Sequence, residues 1–212
     1  RLWGFFTRWE KELPRTEIFV LAEATQAWEP AGNHIPGFLP FTPPRKLSDG
    51  NWIMGGELHW YEAAVAISHG DDFTKWTVVQ IPRPENIKLE FPETTLMEQD
   101  GALVAICRPK EARTAPAAVS KDNGRTWTPL RPSNFPLAPS KPLCGKLSTG
   151  QQFLITDNLE QGRALLSIAV TAPGGQRFCR IWKIRHQQTP KRRLGFRRGQ
   201  EHQPGANLHK AK

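Results

Sequence analysis

Two arginines in this chain stand where an apolar run meets a loop. Arg108 follows GALVAIC, and Arg163 precedes ALLSIAV. A guanidinium presents a rigid fork of donors that fits a carboxylate or a phosphate, so two of them converging on one anion would resist replacement by lysine. Glu93 lies fifteen residues before Arg108, enough chain for a hairpin to return and set the carboxylate beside the guanidinium. There it would orient the arginine or modulate a nucleophile. The same spacing fits a solvated arginine or one paired with any nearby acid. Glu57, His59 and Glu62, in WIMGGELHWYEAAVAIS, fall near strand ends and fit either a pocket lining or an ordinary polar role. What decides is the set of elements that positions them.

Those elements are announced by turns. In SKDNGRTW, Ser120 to Trp127, the Asp and Asn side chains can bond back to nearby amides and Gly124 takes positive φ at low cost. APAAVS before it reads as a strand and TWTPL after it as the start of another, so the stretch predicts a β-hairpin turn. Ser120 and Asp122 would hold the turn closed while Trp127 folds across it and buries its ring. Related stretches occur as SHGDDFTKW from Ser68, after AAVAI, and as TAPGGQRF from Thr171, after LLSIAV. Their aromatic members, Trp76, Trp127 and Phe178, are 51 residues apart each time.

A second element recurs in phase. LSDGNWIMGG from Leu47, MEQDGALVAIC from Met97 and LSTGQQFLIT from Leu147 each place a polar turn before an apolar strand. Four short strands per period of about 51 residues is the size of a propeller blade. The first unit is less regular: TEIFVLAE from Thr16 reads as a strand and Trp9 as an aromatic from an earlier turn, without a clean Ser/Asp turn before it. Asp49, Asp71, Asp72 and Asp100 all sit in turn-like strings and read as hairpin residues rather than proton carriers. A calcium loop is disfavoured, because Thr171 to Phe178 contains no acid.

SKDNGRTW resembles the Asp-box, the bacterial neuraminidase repeat with the pattern Ser-x-Asp-x-Gly-x-Thr-Trp. SHGDDFTKW resembles it with one residue inserted, and TAPGGQRF keeps the Gly-aromatic end. The resemblance to sialidases implies an all-β, sialidase-like β-propeller with about four blades represented of a six-bladed architecture, since six such units need roughly 306 residues. Residues 1–184 would form the blades and 185–212 a basic C-terminal segment. It implies an exo-glycoside hydrolase releasing terminal sialic acid from glycoconjugates, without a cofactor, or alternatively a noncatalytic carbohydrate-binding or protein-interaction propeller fragment. By resemblance, Glu93 is a catalytic residue, while Arg108 and Arg163 bind substrate as two members of an arginine triad on the sialic acid carboxylate. The partner would be a sialylated glycan or another anionic carbohydrate, and the compartment secreted or periplasmic. Family chemistry also uses a tyrosine nucleophile after the last of these arginines. Here the one tyrosine, Tyr61, precedes Glu93, and Arg1, Arg8 and Arg15 lack a matching context for the third triad member.

Composition sets the remaining bounds. No run approaches the length of apolar sequence that a membrane-spanning helix needs. With 19 prolines and 17 glycines in 212 residues, long helices are not expected. Cys107, Cys144 and Cys179 lie in or beside apolar segments and read as small buried residues, with no CxxC to suggest a metal site. The net charge of +9 is concentrated at the end: from Lys183 onward there are nine Lys or Arg against one acid. That tail would attract an anionic partner through a salt-sensitive field, or remain a solvated extension. Nucleotide loops, zinc-protease and serine-hydrolase motifs are absent from the sequence.

Overall fold

The structure, a computed structural model, describes residues 1–59, 61–111, 113–157, 164–175 and 177–186. Four antiparallel sheets follow one another along the chain. The first holds β1 (Trp3–Glu10), β2 (Leu13–Ala22) and β3 (Ala27–Pro36). In the second, β4 (Phe38–Pro40) and the short β5 (Arg45–Lys46) both pair with β6 (Trp52–Leu58), which continues to β7 (Glu62–His69) and β8 (Asp72–Gln80). The third is β9 (Thr95–Gln99), β10 (Ala102–Ile106), β11 (Arg113–Ser120) and β12 (Arg131–Leu137), in that order. The fourth repeats the pattern with β13 (Leu143–Lys146), β14 (Gln152–Asp157), β15 (Leu165–Thr171) and β16 (Phe178–His186). This is a four-blade, propeller-like arrangement, and no helix occurs among the described residues.

The blades form because their central strands are apolar on both faces. Along β7, Ala63, Val65 and Ile67 join a core with Ile53, Leu103, Ala105 and Trp127, between the second and third sheets. The alternate residues Ala64 and Ala66 turn instead to Ile18, Ile35, Phe38 and Met54, between the first and second. A period of two with both phases apolar gives the continuous run AAVAI, the mark of a strand covered on both sides. Met97, Ile106, Ala115, Leu137 and Leu154 fill the next gap, between the third and fourth sheets. Each fully buried Ile, Val or Leu contributes about 1.5–3 kcal/mol. Polar links fix the spacing: Thr16 Oγ1 donates to the Phe38 carbonyl at 2.7 Å, and Gln152 exchanges two bonds with the Glu98 backbone, at 2.6 and 2.9 Å.

The Ser120 turn closes as its residues imply. Ser120 Oγ accepts the Gly124 N–H at 2.8 Å and donates to Asp122 Oδ1 at 2.8 Å. Asp122 accepts both the N–H and the hydroxyl of Thr126, at 2.9 and 2.6 Å. Trp127 donates its Nε1–H to the Gly124 carbonyl at 2.9 Å and is buried. Trp76 does the same to Phe73 at 2.7 Å. Ser68 and Thr171 each accept a backbone N–H from the neighbouring strand, from Trp52 at 2.7 Å and Gln152 at 3.0 Å. Replacing Ser120 with Ala should cost about 1–2 kcal/mol, because the buried Gly124 N–H loses its acceptor; urea denaturation measures it. Asp122 is held down to about 2, first by the Thr126 hydroxyl and then by its N–H. A depressed carboxyl stabilises the fold above its ordinary range and loses that contribution as pH falls toward 2. The urea midpoint should therefore fall less steeply with acidification in Asp122→Asn than in the unaltered chain.

Three expectations need correction. TWTPL does not start a strand: Trp127 turns inward, the Thr128 N–H bonds to Val119 at 2.9 Å, Pro129 has no donor, and β12 begins only at Arg131. Trp9 is a residue of β1 rather than of an earlier turn, and the first sheet has three strands. The cysteines are not all buried. Cys107 is, and burial pushes the Cys107 and Cys144 thiols up to about 12, but Cys179 is exposed on β16, the last strand of its sheet. A chromogenic disulfide reagent should accordingly titrate one thiol quickly in the folded chain and all three in urea.

Candidate functional site

Strand pairing creates the site. β9 and β10 are antiparallel with Thr95 opposite Ile106, so the residues just before β9 and just after β10 emerge side by side. Those residues are Glu93 and Arg108. Arg108 Nη1 donates to Glu93 Oε2 at 2.9 Å, with the two side chains 19% and 16% exposed. The backbone repeats the link, since the Arg108 N–H bonds to the Pro92 carbonyl at 2.6 Å. Leu103 lies opposite Ser120, which puts the Asp122 turn at the other end of the same sheet. The turn residues therefore hold one end of the blade while Glu93 and Arg108 occupy the other.

A second carboxyl comes from the neighbouring blade. Glu57 sits on β6 on the same face as Ile53, opposite Leu39 of β4, and only 4% of it is exposed. Its Oε2 accepts the Glu93 N–H at 3.3 Å. Burial pushes the Glu57 carboxyl up to about 7; the Glu93 N–H opposes this, the Glu93 charge adds to it, and the Arg108 charge opposes it. Phe91 and Glu93 hold left-handed φ values of 51° and 41°, which residues with a Cβ seldom adopt outside turns and functional sites. That kink aims Phe91 beneath Arg108, whose guanidinium carbon is 5.7 Å from the ring centroid. Tyr61 packs edge-on against Phe91, with ring centroids 4.7 Å apart. The result is one guanidinium, two carboxyls and two rings at one end of the blades.

Other candidates fall elsewhere. Arg163 lies outside the described residues, as does the basic tail from residue 187 onward. Glu62 pairs with Arg83, and the His59 ring lies 5.8 Å from Trp9. Arg8 and Arg15 pair with Glu17 at 3.1 and 2.9 Å, and Arg15 also with Glu10, on the first sheet. Asp49 accepts from Asn51 within its turn and from Arg125 of the next sheet, Asp71 from Trp52 and Lys46 of its own sheet, and Asp72 from Thr74 within its turn, all structural contacts. Among the described residues no group of three His, Cys, Asp or Glu side chains is placed to hold a metal ion. Nor is any helix long and apolar enough to cross a membrane. A cleft of about 690 Å³ beside Met97, Phe135 and Phe178 and one of about 290 Å³ beside Glu98, Asn123 and Lys146 are not lined by Glu57, Glu93 or Arg108. The smaller cleft has an ion pair of its own, Lys146–Glu98 at 3.4 Å, but both of its side chains are exposed, whereas the Glu93–Arg108 pair is part-buried.

A family profile described as the BNR repeat-like domain matches residues 23–203. This chain belongs to the BNR repeat-like domain family. Solved structures extend the likeness of this BNR-repeat protein to sialidases. An intramolecular trans-sialidase from Ruminococcus gnavus superposes with a TM-score of 0.56 at 14% identity, over 80% of this chain and 39% of that one. A Hadza microbial sialidase gives 0.60 at 15% identity, over 84% and 38%. NanB sialidase from Streptococcus pneumoniae gives 0.59 at 16% identity, over 81% and 29%. At such identities the likeness is one of fold, and the BNR-repeat chain spans less than two fifths of the length of each of these enzymes. No curated protein matches its sequence.

Proposed function

We propose that this chain is a sialidase-like propeller acting on terminal sialic acid of glycoconjugates, with Arg108 and Arg163 holding the sugar carboxylate and Glu93 orienting Arg108. The observation that carries the reading is the part-buried Glu93–Arg108 pair, set at the strand ends remote from the Asp-box turns. A guanidinium fixed by one acid is already oriented when a second carboxylate arrives, so less ordering is left to the moment of binding. The sialidase fold supports the same substrate class, and the Ruminococcus gnavus trans-sialidase was crystallised with oseltamivir carboxylate, an anionic ligand. Hydrolysis would use the guanidinium charge to neutralise the substrate carboxylate as the ring gains oxocarbenium character, with Glu93 available to polarise a nucleophile.

A second reading is binding without turnover. It is favoured by the position of Tyr61, whose ring rests on Phe91 at a turn between β6 and β7 and whose bonding partners include neither Glu93 nor Glu57. One experiment separates the two. The purified chain is given a fluorogenic N-acetylneuraminic acid glycoside, and binding of a non-hydrolysable methyl glycoside is followed by NMR in parallel. Hydrolysis that Arg108→Ala abolishes supports the enzyme, and saturable binding without product supports the lectin-like reading. Neither event from a folded chain would overturn both.

A further inference from the structure

Arg108 carries an unmet demand that the Glu93 pair does not satisfy. Its Nε–H is buried and has no acceptor, although Nη1 is bound to Glu93. A buried donor without a partner is costly, so an oxygen reaching it from within the protein would relieve that cost. Glu57 is placed to supply one: its Oε2 accepts the Glu93 N–H at 3.3 Å, and the Glu93 side chain in turn accepts from Arg108 Nη1 at 2.9 Å. The bond from the Glu93 N–H ties the Glu57 carboxyl to the same segment that fixes Arg108.

We infer that Glu57 is a positioning residue that gates Arg108: as a neutral acid it leaves the guanidinium to Glu93 and an arriving carboxylate, and as a carboxylate it draws that charge inward and repels the anion. The inference rests on the anion-binding reading above and specifies how that site is regulated. Its surroundings leave few other charges to do this. β4 contributes Phe38, Leu39 and Pro40, none of them titratable. On β7, Glu62 is engaged by Arg83. On its own strand's extension, His59 faces the Trp9 ring. The charges that act on Glu57 are those of Glu93 and Arg108. With burial holding the carboxyl near 7, the change of state falls at neutral pH. The cluster then has no net charge below that point and one negative charge above it, so anion affinity falls as pH rises.

The test uses the full chain labelled with ¹³C at glutamate carboxyls and ¹⁵N in arginine, titrated without ligand. The Glu57 carboxyl signal, identified by its loss in Glu57→Gln, should titrate near 7. The Arg108 Nε–H signal should move with the same midpoint and stay fixed in the variant. A Glu57 midpoint in the ordinary carboxylate range, or an Arg108 signal that ignores it, overturns the inference, and the second readout needs no variant to fold. In the ligand arm, affinity for the methyl glycoside of N-acetylneuraminic acid should be about tenfold weaker at pH 8 than at pH 6 and flat in Glu57→Gln. Binding without that pH dependence overturns the gate alone. Coupled titration without any sugar binding supports the gate's proton coupling and removes the sialic acid reading.

Discussion

Lysine at position 108 is expected to weaken binding of a sialic acid glycoside by about 100-fold while lowering the melting temperature by only a few degrees. Arg108 serves two neighbours while keeping part of its fork for a ligand: Nη1 meets Glu93 at 2.9 Å, and the guanidinium carbon lies over Phe91 at 5.7 Å. An ammonium is a compact point charge that can keep the Glu93 pair or meet a ligand, but cannot present a planar fork to both. The lost bidentate, charge-assisted contact is worth about 2–3 kcal/mol, and each 1.4 kcal/mol is about tenfold in affinity. Stability suffers less because a positive charge still faces Glu93. NMR titration of the methyl glycoside and scanning calorimetry, run on Arg108→Lys and the unaltered chain, provide the two numbers. A loss of affinity below about threefold would mean that the guanidinium fork does not bind the sugar.

How much of this was legible from the residues depends on whether the determining contact is local. The Ser120 turn is local: its donors and acceptors lie within eight residues, and the 51-residue spacing of Trp76, Trp127 and Phe178 repeats it, so the blades could be read directly. The Glu93–Arg108 contact was readable as a possibility, because both flank a single hairpin. Glu57 was visible only as one of several polar residues near a strand end. Its bond to Glu93 crosses from one blade to the next over 36 residues, and no periodicity encodes that. Tyr61 over Phe91 is hidden for the same reason. TWTPL has strand-like composition, yet the Trp127 ring and Pro129 divert its backbone and β12 starts only at Arg131. Apolar neighbours do not imply burial for Cys179, because it lies on the last strand of a sheet, where Ile181 and Ile184 are themselves exposed.

The same cross-blade packing ties the Gly55 backbone to the site. Gly55→Ala should cost about 3 kcal/mol and displace the Arg108 Nε–H resonance. Gly55 is locked on both sides: its N–H bonds to Thr42 Oγ1 at 2.7 Å and its carbonyl accepts the Phe41 N–H at 2.9 Å. A methyl group there would fall inside contact distance of the Thr94 carbonyl oxygen and 3.1 Å from its carbon. These are backbone atoms and cannot swing aside as the tip of a flexible side chain would. Either β6 separates from the segment before β9 or Thr94 moves, and Thr94 adjoins Glu93 and touches the Cys107 sulfur at 3.6 Å, next to Arg108. Gly70 offers the comparison, since it holds φ of 61° in the Ser68 turn with nothing within 4 Å of the added carbon. Gly70→Ala should cost about 1 kcal/mol through backbone conformation alone and leave Arg108 where it is. Urea denaturation and the arginine Nε spectrum, compared across the two variants, separate the explanations: equal losses, or an Arg108 resonance unmoved by Gly55→Ala, would show that the Gly55–Thr94 approach does not position the site.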